Sequence, residues 1–274
     1  MASDHEAPSS KRPKIDPPPP IYVSLHIITN PTRSGYYFTS KPGCKDSNNR
    51  LAVAPKDAIF DRLIVEDLPQ GKDDVYFPPA DLKLSVDYDF QSLEVVGVKK
   101  PWDFFLPCFQ TDFESISFQD VLIEADDKRT SDLFKAILAS KYLKSLSLEE
   151  SDLNEDFTED VVAFYERKSW TTFVWHNSKV EESGHMMNFD DEQIPEVLAA
   201  WEEDENPAWK RFKVGSFQIR KSDALKEALE ESYGSGKTED SNVWRWNLKH
   251  KNGKLKAEVT LGISGPVVID VRRI

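Results

Sequence analysis

The sequence of 274 residues contains only two cysteines, Cys44 and Cys108. A secreted chain of this size normally carries more disulfide bridges, so we expect two reduced thiols in a nuclear or cytosolic protein. A single bridge between Cys44 and Cys108 is the alternative. Nowhere do eighteen apolar residues run together, and no apolar stretch follows the first residues, Met-Ala-Ser-Asp-His-Glu. These absences predict neither a membrane span nor a signal peptide.

Basic residues are also fewer than acidic ones. The chain has 35 Lys and Arg and 48 Asp and Glu, which gives a formal net charge of −13 at pH 7. Nucleic-acid binding needs a net basic footprint, so we expect no nucleic-acid partner. The five histidines stand far apart, and no nucleophile motif of the Gly-x-Ser-x-Gly type occurs. We therefore expect no metal site, no cofactor and no enzymatic activity.

One stretch favours the opposite conclusion. Residues 234–238 read Gly-Ser-Gly-Lys-Thr, the closing letters of a phosphate-binding loop. That loop needs a strand before it and a glycine five positions before its second glycine, where this chain has Glu231. The preceding residues predict a helix from Ser222 that ends at Gly234 in the left-handed conformation. We interpret the stretch as a helix–strand connection, with nucleotide hydrolysis dependent on Lys237 as the alternative.

The first twenty residues are rich in proline and end in four consecutive prolines. This composition predicts a disordered tail whose end adopts the polyproline II conformation. Within it, Lys11, Arg12 and Lys14 form the tetrapeptide Lys-Arg-Pro-Lys, which has the form of a short nuclear-import signal. An inert tail is the alternative.

The main pattern is a strand-like phrase, apolar-x-x-apolar-x-apolar, where x is any residue. Its copies begin 25 to 39 residues apart. Helical patterns separate the later copies; they predict N-caps at Ser131 and Asp156 and helix starts near Gln193 and at Ser222. Strands and helices that alternate in this way predict an α/β fold, with a parallel sheet in a solenoid of β-α units. The copies are Phe60-Leu63-Val65, Phe90-Leu93-Val95, Phe118-Val121-Ile123, Leu143-Leu146-Leu148, Trp170-Phe173-Trp175, Trp209-Phe212-Val214 and Val243-Trp246-Leu248.

This pattern divides the chain into four parts. Residues 1–20 are the tail, and residues 21–58 form an irregular N-terminal cap with one strand at 21–28. Residues 59–242 form the repeat solenoid, and residues 243–274 form C-terminal capping strands. In the last part, Asn-Gly at 252–253 favours an antiparallel hairpin that closes the solenoid, followed by a strand at 267–271.

Residues 143–153, Leu-Lys-Ser-Leu-Ser-Leu-Glu-Glu-Ser-Asp-Leu, resemble the leucine-rich repeat phrase L-x-x-L-x-L-x-x-N-x-L. Residues 170–180 follow the same frame with aromatic residues in place of leucines. In that family the asparagine side chain binds backbone groups at the turn. The resemblance implies that Ser151, at the asparagine position, does so in part.

More narrowly, residues 115–272 resemble the expanded nematode families of F-box-associated proteins. The stretches that carry this resemblance are YLKSLSLEESDL, EVLAAWEEDENPAWKRFKV and LKHKNGKLKAEVTL. These families often begin with an F-box that docks on a ubiquitin-ligase adaptor, whereas residues 1–60 here carry proline, turns and strand-like pieces. The resemblance implies the alternative function, a substrate receptor of a cullin-type ubiquitin ligase with a diverged adaptor-binding part.

Alternate strand residues should point away from the core, and in repeat solenoids that face binds partners. Its charges change from acidic to basic along the chain, which favours a protein partner over a small molecule. We therefore predict a non-enzymatic protein–protein interaction module of the nucleus or cytoplasm. The predicted partner-binding residues are Glu124, Ser147, Glu149, Thr172, His176, Arg211 and Lys213.

Eight acidic residues and no Lys or Arg occur between positions 186 and 206. We expect a solvated outer helix with acidic flanks there. The alternative is a surface that attracts a basic protein partner and speeds its arrival.

Overall fold

The computed structural model describes residues 20–30, 33–40, 50–55, 58–67, 90–98, 112–123, 128–153, 157–167, 169–176, 179–180, 193–205, 207, 210–215, 223–240, 243–262 and 267–274. The helices are α1 (Lys128–Ala139), α2 (Thr158–Glu166), α3 (Gln193–Glu203) and α4 (Asp223–Tyr233). The strands are β1 (Tyr22–Asn30), β2 (Arg33–Thr39), β3 (Ile59–Glu66), β4 (Ser92–Val96), β5 (Ser115–Gln119), β6 (Leu122–Ile123), β7 (Ser145–Glu149), β8 (Asp152–Leu153), β9 (Thr172–His176), β10 (Lys179–Val180), β11 (Arg211–Gly215), β12 (Lys237–Asp240), β13 (Val243–Lys249), β14 (Leu255–Gly262) and β15 (Val267–Arg273).

The fold is mixed α/β, as the sequence predicts, around one open sheet of 12 strands. The strand order is β12-β13-β14-β15-β11-β9-β7-β5-β4-β3-β1-β2. The run from β1 through β3, β4, β5, β7 and β9 to β11 is parallel. Strand β2 and the four C-terminal strands pair antiparallel. A second sheet, β10-β8-β6, has three short strands, each of which follows a strand of the large sheet.

The parallel strands stay in register because equivalent apolar residues pack side by side. Leu146 on β7 aligns with Phe173 on β9, which aligns with Phe212 on β11. All three side chains are buried, and the Phe173 and Phe212 rings lie 6.0 Å apart. Burial of each such side chain contributes roughly 1.5–3 kcal/mol, so a shift of one residue would expose the whole row.

The helices cover the same face of the sheet as these apolar residues. Phe134 of α1, Phe164 of α2 and Trp201 of α3 belong to the buried cluster that also contains Leu146 and Phe212. The predicted start of α3 at Gln193 is confirmed. The opposite face of the strands therefore carries the polar side chains.

The two predicted N-caps differ from the structure. Ser131 is buried inside α1, which begins three residues earlier, so it is not the cap of that helix. The N-cap of α2 is Phe157, whose side chain makes no capping hydrogen bond, and Asp156 lies outside the described residues. The Phe157 side chain is fully buried, so packing of an apolar residue helps to fix this helix start.

Each of three strand ends is followed by a residue with positive φ: Gly97, Asp120 and Glu150. The backbone N–H of each donates to the last carbonyl of the next strand of the sheet; the Glu150 N–H, for example, lies 2.9 Å from the His176 carbonyl oxygen. Beyond Glu150, the fully buried Ser151 hydroxyl donates to the Glu149 carbonyl at 2.9 Å and accepts from the Val121 N–H at 3.3 Å. The same turn geometry therefore recurs after β4, β5 and β7.

The predicted strand phrase Phe118-Val121-Ile123 is out of frame. Strand β5 ends at Gln119, and the phrase that aligns with its neighbours is Phe113-Ile116-Phe118. Both phrases have the same spacing, because Val121 and Ile123 follow the turn after β5 at the distances that the pattern requires. Periodicity alone therefore cannot choose between them.

At the C-terminus, β13 and β14 form the predicted antiparallel hairpin, with Gly253 at φ +68° in its turn. The strand that pairs with the parallel run at β11 is the last one, β15, and not the hairpin itself. The sheet stays open, with β12 and β2 at its edges.

At the N-terminus, the predicted strand at 21–28 is confirmed as β1, which pairs parallel with β3. The division of the chain at residues 58 and 242 stays a prediction. The tail with Lys11, Arg12 and Lys14, and both cysteines, lie outside the described residues.

Candidate functional site

Three neighbouring strands bring most of the predicted partner-binding residues onto one face, which we call the polar face. It consists of Ser145, Ser147 and Glu149 on β7, Thr172, Val174 and His176 on β9, and Arg211 and Lys213 on β11. The register aligns Ser145 with Thr172 and Arg211, and Ser147 with Val174 and Lys213. Adjacent strands lie about 4.8 Å apart, so these side chains are within reach of one another.

An ion cluster joins the three strands. The Lys213 ammonium nitrogen donates to Glu149 Oε2 at 2.6 Å, and His176 Nδ1 lies 3.8 Å from the same oxygen. The side chain of Lys213 is 12% exposed and that of Glu149 is 36% exposed. Lys213 and Glu149 lie two strands apart, so the pair bridges over β9.

The environment shifts the pKa of two members of this cluster. Burial raises the pKa of Glu149, but the hydrogen bond and positive charge of Lys213 outweigh burial, so its pKa lies below the usual value. Burial and the charge of Lys213 lower the pKa of His176, against the opposing effect of Glu149 and Glu150. At neutral pH Glu149 is therefore a carboxylate and His176 a neutral imidazole.

One of the predicted residues differs from expectation, and the prediction for another is not tested. His176 lies on the polar face, but its side chain is only 6% exposed, because the neighbouring strands and the Lys213–Glu149 pair surround it. The out-of-frame phrase predicts Glu124 on this face, but Glu124 lies outside the described residues. The residues of β5 on this face are Ser115, Ser117 and Gln119. Asp120 belongs to the turn after β5 and not to its polar face.

Arg211 is the most exposed basic residue of the polar face. Its side chain is 48% exposed, and its Nε lies 3.8 Å from Asp270 Oδ1 on β15. This exposed contact is worth at most about 1 kcal/mol, so it can be exchanged for a contact with another molecule.

The predicted partner-binding residues include few from the middle of the sheet. There, small side chains with hydroxyl groups form rows between charged groups. Ser92, Ser115 and Ser145 align with Thr172 in one row, and all are partly exposed. Strand alternation could have identified the serines of β5, had its frame been assigned correctly. The centre of the polar face, which we call its floor, therefore consists of short side chains that can form hydrogen bonds.

A second polar cluster lies among β1, β2 and β3. His26 Nδ1 is 3.1 Å from Glu66 Oε1, His26 Nε2 is 3.2 Å from Thr39 Oγ1, and the His26 ring stacks on Tyr37 at 4.4 Å. The order hydroxyl, imidazole, carboxylate is the one that hydrolases use. Thr39 is only 1% exposed, however, so a substrate could not reach its hydroxyl in this conformation. The contacts instead fix the mutual register of the three strands.

The Gly-Ser-Gly-Lys-Thr stretch connects α4 to β12, so a helix precedes it and a strand follows it. Gly234 has φ +78°, as predicted for a residue that ends a helix. The Gly234 carbonyl accepts a hydrogen bond from Trp246 Nε1 at 2.9 Å, and a Cβ on Gly236 would lie 2.8 Å from the Trp246 ring. The glycines therefore let the backbone pass close to a buried indole.

The acidic helix α3 packs through Ile194, Val197, Leu198 and Trp201, and its exposed side carries Glu196 and Glu203. The β13–β14 turn binds the C-terminal carbonyls of α3 and the residues after it. His250 Nε2 lies 2.9 Å from the Trp201 carbonyl oxygen, and the Lys251 ammonium group donates to the Glu203 carbonyl at 2.6 Å. A cation at this end of the helix also interacts favourably with the negative end of the helix dipole.

Within the described residues, no group of three His, Cys, Asp or Glu side chains could hold a metal ion. None of the helices in that part of the chain is long and apolar enough to cross a membrane. Comparisons with protein-family models, curated proteins and solved structures found no match for this chain.

Proposed function

We propose that this protein is a non-enzymatic protein–protein interaction module of the nucleus or cytoplasm that binds a protein partner through the polar face. The observation that supports it is the group of charged side chains on β7 and β11, which lie on either side of β9. Glu149 and Lys213 are held in place by each other, and Arg211 stands beside them with half its side chain exposed. Preorganised charges of both signs favour a partner with complementary polar groups, because little ordering is required on binding.

We further propose that the parallel part of the sheet is a leucine-rich-repeat-like solenoid. The recurring turns at Gly97, Asp120 and Glu150 support this reading, as does the short second strand after each of β5, β7 and β9. Ser151 supports it as well, because its hydroxyl binds two backbone groups at the turn, as the repeat asparagine does in the family that the sequence resembles.

The shape of the polar face indicates how a partner would approach. Ser145, Ser147 and Thr172 are short side chains, so the backbone of a partner can come close to the floor that they form. Glu149, Lys213 and Arg211 flank this floor and would orient the partner by charge. The exposed acids of α3 are a separate surface, which would suit a basic region of the same partner or of another one.

The test is affinity purification of the intact protein from its own cells, with mass spectrometry of the proteins that accompany it. We expect Arg211→Ala to reduce recovery of the partner about tenfold, which corresponds to a loss of roughly 1.4 kcal/mol of binding free energy. The control is Lys226→Ala. Lys226 lies on α4, away from the polar face, and its Nζ is 3.7 Å from Glu230 Oε1.

Equal recovery with Arg211→Ala and Lys226→Ala would contradict the polar face as the binding surface. Recovery of a cullin and its adaptor in amounts similar to those of the protein would favour the alternative, a substrate receptor of a ubiquitin ligase. The resemblance to F-box-associated families motivates that alternative. The two functions are distinguished by which proteins are recovered, and not by the effect of Arg211→Ala.

A further inference from the structure

A row of three basic residues lies across the C-terminal strands, on the same face of the sheet as Arg211. Lys249 on β13 pairs directly with Lys256 on β14, and Lys256 pairs directly with Arg272 on β15. All three residues are exposed. None of them forms an ion pair within the part of the chain that the structure describes. We call these three residues the basic row.

The basic row does not stabilise the fold. Like charges directly opposite each other on neighbouring strands are destabilising, whereas alternating signs would be favourable. The acidic residues of these strands lie in the next row on the same face, where Glu258 pairs directly with Asp270 and Asp270 with Arg211. No acidic residue of β13, β14 or β15 therefore lies directly opposite a member of the basic row.

Protection of a sheet edge does not explain the row either. Natural proteins place lysine on edge strands to prevent strand addition. Lys256, the middle residue of the row, has a partner residue on both sides, however: Lys249 on β13 and Arg272 on β15.

The rest of the chain makes this concentration of positive charge unusual. Residues 243–274 contain seven Lys and Arg and two Asp and Glu, in a chain whose formal net charge is −13. Acidic residues therefore dominate the remainder of the chain, and the basic row is a local exception to them.

We propose that the basic row is a second interaction surface, which binds an acidic segment of a partner protein. Charge complementarity is the argument. Adjacent strands lie about 4.8 Å apart, so the three Cα positions span roughly 10 Å. Acidic residues two to four positions apart in a peptide cover a similar distance, so one short segment can contact all three basic residues.

Phosphate polymers and membranes fit the row less well. Stable binding to an anionic membrane by charge usually takes a cluster of four to eight Lys and Arg. Nucleic-acid binding depends on many phosphate contacts, and a net charge of −13 opposes the approach of a polyanion. A short acidic peptide segment needs neither a large basic area nor long-range attraction.

The experiment measures binding of a fluorescein-labelled twelve-residue peptide of alternating Glu and Ser to the full chain by fluorescence anisotropy. The triple variant Lys249→Gln, Lys256→Gln, Arg272→Gln is compared with a control triple, Lys128→Gln, Lys135→Gln, Lys141→Gln. Both triples change the net charge equally, and the control residues lie on α1 and just after it. Each exposed ion pair contributes modestly to binding, but the first triple removes three of them at once. We therefore expect it to raise Kd at least about tenfold at 50 mM salt. The control triple should raise Kd less than about twofold.

Equal weakening by both triples would overturn the proposal, because overall charge would then explain the binding. Absence of saturable binding to the wild-type chain would overturn it as well. So would tighter binding to a single-stranded DNA oligonucleotide, or to vesicles with 30% phosphatidylserine, than to the peptide. The polar face is tested separately, by the recovery experiment with Arg211→Ala.

Discussion

Replacement of Gly236 by alanine tests whether the 234–238 stretch is a packing feature or a phosphate-binding loop. The new Cβ would lie 2.8 Å from Cε2 and Cζ2 of Trp246, whereas carbon atoms in ordinary contact are about 3.5–4.0 Å apart. The indole cannot move aside easily, because it is buried and its Nε1 donates to the Gly234 carbonyl. Overpacking of this kind costs about 1–3 kcal/mol, and we expect Gly236→Ala to lower the free energy of unfolding by that amount.

The assay is urea unfolding followed by tryptophan fluorescence and circular dichroism, with thermal unfolding as a second measurement. For a chain of this size, a loss of 1 kcal/mol lowers Tm by about 2–4 °C. Ser235→Ala is the matched control, because Ser235 is exposed and should change stability by less than about 0.5 kcal/mol. Lys237→Ala should also leave stability unchanged.

The packing explanation is refuted if Gly236→Ala unfolds at the same urea concentration as the wild type. A phosphate-binding loop predicts a different pattern. In that case a fluorescent ATP analogue would bind the wild type, and Lys237→Ala would abolish that binding without an effect on stability.

Three further predictions concern the turn after β7 and the ion cluster. Ser151→Ala leaves the buried Val121 N–H without its acceptor and should cost about 1–3 kcal/mol in urea unfolding, whereas Ser147→Ala should be nearly neutral. Because the folded-state pKa of Glu149 is lowered, its stabilising effect is present above the usual pKa and is lost as pH falls through the lowered value. Glu149→Gln should therefore lose less stability than the wild type between pH 6 and pH 3. The lowered pKa of His176 has the same sign, so His176→Gln should reduce the loss of stability between pH 7 and pH 5.

The sequence predicts those parts of the fold that depend on regular burial. Leu146, Phe173 and Phe212 mark strands whose apolar residues must face the helices, and this alone identifies β7, β9 and β11. The same alternation places Glu149 and Lys213 on the opposite face. Their contact requires the parallel order of the strands as well, which the strand–helix alternation also predicts.

The misses occur where local sequence and tertiary packing give different answers. Ser131 has the residue type of an N-cap, yet α1 begins earlier and buries it. Phe118 fits two overlapping phrases, and only pairing with β4 and β7 selects the correct frame. The burial of His176 could not be read from its neighbours in sequence, because it depends on Lys213, 37 positions later.

The basic row was missed for a similar reason. Lys249, Lys256 and Arg272 are separated in the sequence, and each is an ordinary exposed residue of its strand. They form a row only through the register of three antiparallel strands, which depends on the hairpin turn and on the return of β15 beside β11.

The open edge at β12 has a consequence for self-association. An edge strand offers backbone groups to which another chain could add, and this is a common route to aggregation. Strand β12 is Lys-Thr-Glu-Asp, so three of its four residues are ionisable and carry charges of both signs. A neighbouring molecule that added a strand here would have to accommodate these charges against its own side chains. Lys237 of the Gly-Ser-Gly-Lys-Thr stretch is one of these charges, so it also helps to make this end of the sheet a poor template for growth into fibrils.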